Sequence, residues 1–213
     1  MHVVVFAASK GGVGKTTLTS SVAVRAAKDN PRVAMIDFDP QEGLTGWWAR
    51  RGAVDNPRIF SGVDTIEEAI ELLEMDGWDW LMVDTGPGLM NHMRGVIDTA
   101  DIVVVPLKPS AHDLTAIDPV MNMIKECGAR YLVTLNDVEP RWRLTKTAAQ
   151  FLEEEGHPLA SRPIARREAY AASATIGKSG PEVEREKACA EEIDSLWSDI
   201  RAGLGLKKKG ARK

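Results

Sequence analysis

The sequence predicts an α/β fold: a doubly wound, mostly parallel sheet flanked by helices. Two observations carry that expectation. Five apolar, β-branched runs recur through the first 136 residues, and each is nearly continuous in hydrophobicity instead of alternating. Strands covered by helices on both faces have that character. Between the runs lie segments of helical period, and strand–helix–strand repetition at this spacing implies parallel strands joined by crossovers.

Taken in order, the expected strands are 2–8 (HVVVFAA), 32–38 (RVAMIDF), 78–84 (WDWLMVD), 101–107 (DIVVVPL) and 130–136 (RYLVTLN). Helices are expected at 16–28, 65–75, 90–99, 113–126 and 145–155. Beyond residue 156 the pattern weakens. HPLASRPIARR holds room for a short last strand, and 181–202 reads as one long helix with Pro181 at its start and Ile193, Leu196, Trp197 and Ile200 on one stripe. Residues 1–202 are read as one domain and 203–213 as a basic, flexible tail.

Composition narrows the function classes. The 213 residues are 44% hydrophobic and 27% charged, and no apolar run approaches the length of a membrane span. The first residues lack the basic start of a signal peptide, so a cytoplasmic location is expected. Cys127 and Cys189 form no Cys-x-x-Cys pair, which argues against zinc, an iron–sulfur cluster or a disulfide framework. The net charge of −4 is unevenly distributed. Residues 1–140 carry 12 Lys/Arg against 20 Asp/Glu, and residues 141–213 carry 15 against 11. A polyanionic partner would meet the last third.

The chemistry concentrates where the first strand ends. SKGGVGKT, residues 9–16, nearly fits G-x-x-x-x-G-K-[ST], with Ser9 at the first glycine position. A strand precedes it and a helix follows, the context in which a P-loop works. Backbone N–H groups of Gly11, Gly12, Val13 and Gly14 would turn inward around phosphate oxygens, assisted by the helix N-terminus. Lys15 would reach the β- and γ-phosphates, and the Thr16 hydroxyl would ligate Mg2+. Mg2+ also favours carboxylate oxygens nearby. Asp84 closes WLMVD ahead of TGPG, and Asp37 and Asp39 close VAMIDFDPQ two residues apart, on one side of their strand. Lys10 is one cation more than a phosphate loop requires.

KGGVGKTT, IDFDPQ and VDTGPG, in this order, resemble the ParA/MinD group of deviant Walker A ATPases of the P-loop NTPase class. The resemblance covers nearly the whole chain and is nearest to short ParA proteins, which lack the N-terminal helix-turn-helix of the long type. DPQEGLTGWWARR, VVVPLKPSAHDL, PRWRLTKTA and REAYAASATIGKSGPEVE look like segments of that branch. The resemblance implies ATP and Mg2+ as ligands and slow hydrolysis completed by a partner. It implies that Lys10 crosses an ATP-bound sandwich homodimer to the other subunit's phosphates. It further implies that Asp39 positions water, that Asp37 and Asp84 act at the metal through water, and that Thr17 lies near the α-phosphate. Asn136 corresponds to an adenine-contacting position, and a strand-end cap is its other reading.

The same resemblance implies non-specific DNA as a partner and a ParB-like centromere-binding adaptor, hence a nucleoid-associated location. Basic groups that track phosphates would serve: Arg141, Arg143, Lys146, Arg166, Arg167, Lys178, Arg185, Lys187 and the tail lysines 207–209. Each could equally belong to a solvated charged face. Trp47, Trp78, Trp80 and Trp197 read as core or interface residues, Trp48 and Trp142 as potential partner contacts, and His92, after the switch loop, as structural or responsive to nucleotide. Two other functions share the loop. A MinD-like positioning ATPase would use the last helix as a membrane anchor, but its Glu191, Glu192, Asp194 and Asp199 oppose the basic face this needs. A ligase phosphorylating a small carboxylate would need a substrate pocket of its own.

Overall fold

The computed structural model describes residues 1–206 except 31, 53, 88–89, 140–142 and 184–186, and no side chains at 90–92. Arg141, Trp142, Arg185, the tail lysines and the His92 ring therefore lie outside the described residues. Among the described residues six parallel strands form one sheet: β1 (His2–Phe6), β2 (Val33–Phe38), β3 (Arg58–Phe60), β4 (Trp80–Thr85), β5 (Ile102–Leu107) and β6 (Tyr131–Leu135), in the order β3-β2-β4-β1-β5-β6.

The five expected strands are present, and β3 is an addition. It has three residues at the sheet edge, too few to show a period. Helices α1 (Lys15–Asp29), α3 (Ile66–Met75), α4 (Met90–Asp98) and α7 (Arg143–Glu154) fall where expected. The segment 113–126 is not one helix. It divides into α5 (Ala111–Thr115) and α6 (Asp118–Cys127), because Pro119 is tolerated only in a first turn. Two further helices, α2 (Gly43–Arg51) and α8 (Glu168–Ala174), carry weak local signals. The expected helix at 181–202 resolves into a 3-10 turn at Gly180–Glu182 and α9 (Lys187–Gly203). HPLASRPIARR contributes isolated bridges, Val133 to Leu159 and Val138 to Ala165, instead of a strand.

Strand alternation sorts the interior into two cores. Val3, Val5, Ile36, Leu81, Val83, Val103 and Val105 face one side, under α3, α4, α6 and α7. Val4, Phe6, Met35, Met82 and Val104 face the other, under α1, α2, α8 and α9. The predicted stripe of α9 is buried in this second core, with Trp197 edge-on to Trp80 at 4.6 Å. Because all strands run one way, the loops after β1, β2 and β4 gather at one edge, where a doubly wound sheet opens its crevice.

Candidate functional site

The loop after β1 is shaped by two left-handed glycines, Gly12 (φ 70°) and Gly14 (φ 98°), and Gly14 caps α1. Space is as restrictive as conformation there: a Cβ on Gly14 would come within 2.1 Å of the Asn136 side-chain nitrogen. Asn136 leans on the loop from the end of β6, donating from Nδ2 to the Val13 carbonyl at 2.7 Å. Lys15 opens α1, is 5% exposed, and donates to the Lys10 carbonyl at 3.2 Å, so its stem is enclosed by its own loop. Burial holds its pKa below the usual lysine value, opposed by Asp84 and Asp39.

The carboxylates come from adjacent strands. Asp37 and Asp84 are direct partners in the β2–β4 register. Asp84 has no solvent exposure. Its Oδ2 accepts from the Thr16 hydroxyl at 2.6 Å and its Oδ1 has no partner among the described residues. Burial pushes this carboxyl up to about 7, and the Thr16 hydrogen bond only partly offsets it. Asp37 accepts from the backbone N–H groups of Asp39 (3.0 Å) and Thr45 (2.9 Å) and thereby fixes the loop into α2. Asp39 accepts from the Gln41 N–H at 2.9 Å.

An orphaned, buried carboxylate oxygen beside a hydroxyl is a donor set that fits a hard divalent cation. Among the described residues no group of three His, Cys, Asp or Glu side chains is placed to hold a metal. Thr16 and Asp84 are the side chains that would hold a Mg2+ ion, which would supply charge neutralisation to bound phosphates. Beside the loop lies a cavity of about 530 Å³ bounded by Gly12, Gly14, Thr17, Asn136 and α8. Its position suits the remainder of a nucleotide.

These observations together describe a phosphate loop with a metal-fitting carboxylate, and similarity to known proteins agrees. A family model described as the CobQ/CobB/MinD/ParA nucleotide binding domain matches residues 4–179. The chain belongs to the ParA/MinD family of P-loop ATPases. It is 33% identical over 210 residues to maintenance of carboxysome distribution protein A from Gloeobacter kilaueensis, covering 88% of this chain and 92% of that protein. Protein ParA from Rhizobium radiobacter is 31% identical over 189 residues, covering 83% and 84%. An ATP complex of McdA from Cyanothece shares the fold with a TM-score of 0.74 at 16% identity, over 98% of both chains.

Lys10, the other lysine of the loop, has its ammonium on α5. It donates to the His112 carbonyl at 2.6 Å and pairs with Asp113 Oδ1 at 3.2 Å. Asp113 was not singled out in the sequence, although Ser110 capping α5 three residues before it is a recognisable N-terminal signature.

The basic residues proposed for DNA divide into two sets. Arg143, Lys146, Lys178 and Lys187 are exposed. Arg166 is exposed too but forks onto Asp137 at 2.9 and 3.0 Å, and with Lys108 it holds that carboxyl down to about 2. Arg167 is turned inward: it binds Glu192, a 2%-exposed carboxylate, at 2.7 Å, and Tyr170 donates to the same group. A buried carboxylate needs such partners, which commits the half-buried Arg167 to Glu192 within the fold.

Proposed function

We propose that the chain is an ATP-dependent DNA-partition or cargo-positioning ATPase. An ATP-bound sandwich dimer binds DNA without sequence preference and is released when a ParB-like adaptor stimulates hydrolysis, in the cytoplasm and on the nucleoid. One observation carries this reading. The loop holds two lysines with different surroundings: Lys15 is enclosed by its own loop, whereas the Lys10 side chain is 39% exposed at the loop's outer edge. A cation held outside its own phosphate cradle is suited to the phosphates of a second chain, where burying two nucleotides face to face demands added positive charge.

Within this reading the N–H groups of residues 11–14 cradle the phosphates, Lys15 binds the β- and γ-phosphates, and Thr17 lies near the α-phosphate. Mg2+, when bound, neutralises phosphate charge. Thr16 and Asp84 would hold it, Asp37 would fix the loop around it, and Asp39 would orient water. Asn136 sits between the loop and the base cavity, so bracing Val13 and meeting the adenine are compatible. Arg143, Lys146, Lys178 and Lys187 supply phosphate contacts. The relatives' names, carboxysome distribution and ParA, support a positioning role. A membrane-anchor role is not favoured, because the apolar stripe of α9 packs into the second core.

The test is a titration of arbitrary duplex DNA with the chain in ADP, in ATP and in a slowly hydrolysed analogue. ATP and the analogue should confer binding that weakens steeply with salt. Equal binding in ADP would overturn the proposal.

A further inference from the structure

A second concavity, of about 440 Å³, opens between α3 and α4. Its floor is Phe38, Pro40, Thr85 and Gly86 from the ends of β2 and β4, and its walls include Ile66, Met93 and Val96. This is a largely apolar groove with room for one large side chain. Asp64 and Glu67 stand exposed at its mouth, and Glu68 and Glu71 continue the acidic face along α3. Among the described residues no lysine or arginine lines it. Acidic residues in the first turn suit a helix N-terminus. Glu71, in the middle of the helix, carries the exposed acidic face beyond that first turn.

Gly95 adds an independent observation. It lies inside α4 and lines the groove, and a Cβ built there meets none of the described residues within 4 Å. A helical glycine costs about 1 kcal/mol relative to alanine, and among the described residues neither a close neighbour nor a positive φ requires this one. Its effect is to leave the groove open.

We infer that this groove is the docking site for a short segment of the adaptor, one that places a large apolar side chain between lysines or arginines. The inference rests on the adaptor reading above. Its link to hydrolysis is the groove floor: a Cβ on Gly86 would lie 3.0 Å from Pro40 Cδ and 3.2 Å from Asp39 Oδ1, so the two loops already touch. An occupant pressing on Pro40 and Gly86 bears directly on the loop that carries Asp39. Docking here restrains the water-positioning carboxylate without entering the nucleotide site.

The probe is an amidated Lys-Lys-Phe-Lys-Lys peptide, titrated into ATP-loaded protein while the Met93 methyl resonance is followed. Saturable movement of that signal is expected, with Lys-Lys-Ala-Lys-Lys and Glu-Glu-Phe-Glu-Glu far weaker. Gly95→Phe should fill the groove and abolish the response while ATP-dependent DNA binding persists. Glu67→Gln, an exposed change that leaves the fold intact, should weaken the peptide about two- to fivefold. A still Met93 signal, equal responses to the acidic and basic peptides, or an unaltered response in both variants would overturn the docking site. Loss of ATP-dependent DNA binding in the unaltered protein would instead remove the adaptor reading itself.

Discussion

Asp84 is buried without solvent contact, and one of its oxygens has no partner among the described residues. Its carboxyl is raised from 3.8 to about 7, so the ionised form opposes folding. That penalty is full above the folded value near 7, on the order of 4 kcal/mol, and is relieved as pH falls from 7 toward 4. Asp84→Asn should therefore raise the melting temperature of the nucleotide-free chain at pH 8 and change it little near pH 4.5, as thermal melts at the two pH values would show. The lysines separate differently. Lys15→Ala should abolish ATP binding, whereas Lys10→Ala should retain much of it and lose ATP-dependent dimers, read by nucleotide titration and light scattering. Asp39→Ala should hydrolyse ATP far more slowly and persist on DNA, measured by phosphate release. These residues were legible because the phosphate loop and strand-end carboxylates are local patterns. Arg167 was not: its partner Glu192 lies 25 positions away, on α9, and no sequence spacing announces that contact.

The elements missed in the sequence owe their existence to packing more than to propensity. In α2, Gly43 and Gly46 disfavour a helix, but Leu44 and Trp47 are buried in the second core. The helix is also fastened at its far end. Arg51 forks onto Glu182 at 2.8 and 2.7 Å and donates to the Gly177 carbonyl at 3.0 Å, while Trp47 donates to the Lys178 carbonyl at 2.9 Å. Gly177 is held to glycine by this closeness, since a Cβ would lie 2.1 Å from the Arg51 nitrogen. The long strands β1, β2, β4 and β5 were legible from their continuous apolar runs, whereas the break between α5 and α6 had Pro119 as its signal. Arg51→Ala should cost about 1.5–3 kcal/mol. Denaturant unfolding would measure that loss, and amide exchange should quicken first around Gly177 and Lys178.

At the scale of the molecule, two cores grip one sheet and leave its carboxyl edge to the loops that bear the site. Ligand binding at that edge should stabilise the whole chain. ATP with Mg2+ at a hundred times its dissociation constant adds about 2.7 kcal/mol, and calorimetry should show a corresponding rise that is absent in Lys15→Ala. The uneven charge along the chain was legible as a sum, but the distribution of its cations was not. Arg166 and Arg167 are committed to carboxylates within the fold, and Lys146 and Lys178 remain exposed. The pairing of Lys10 with Asp113 and the His112 carbonyl gives this organisation a thermodynamic character. In the proposed dimer, association is an exchange reaction: a carboxylate of the same chain is surrendered for a phosphate of another. The net gain is the difference between two ionic attachments, not the whole of either. An assembly that must dissolve once per turnover is served by a small difference.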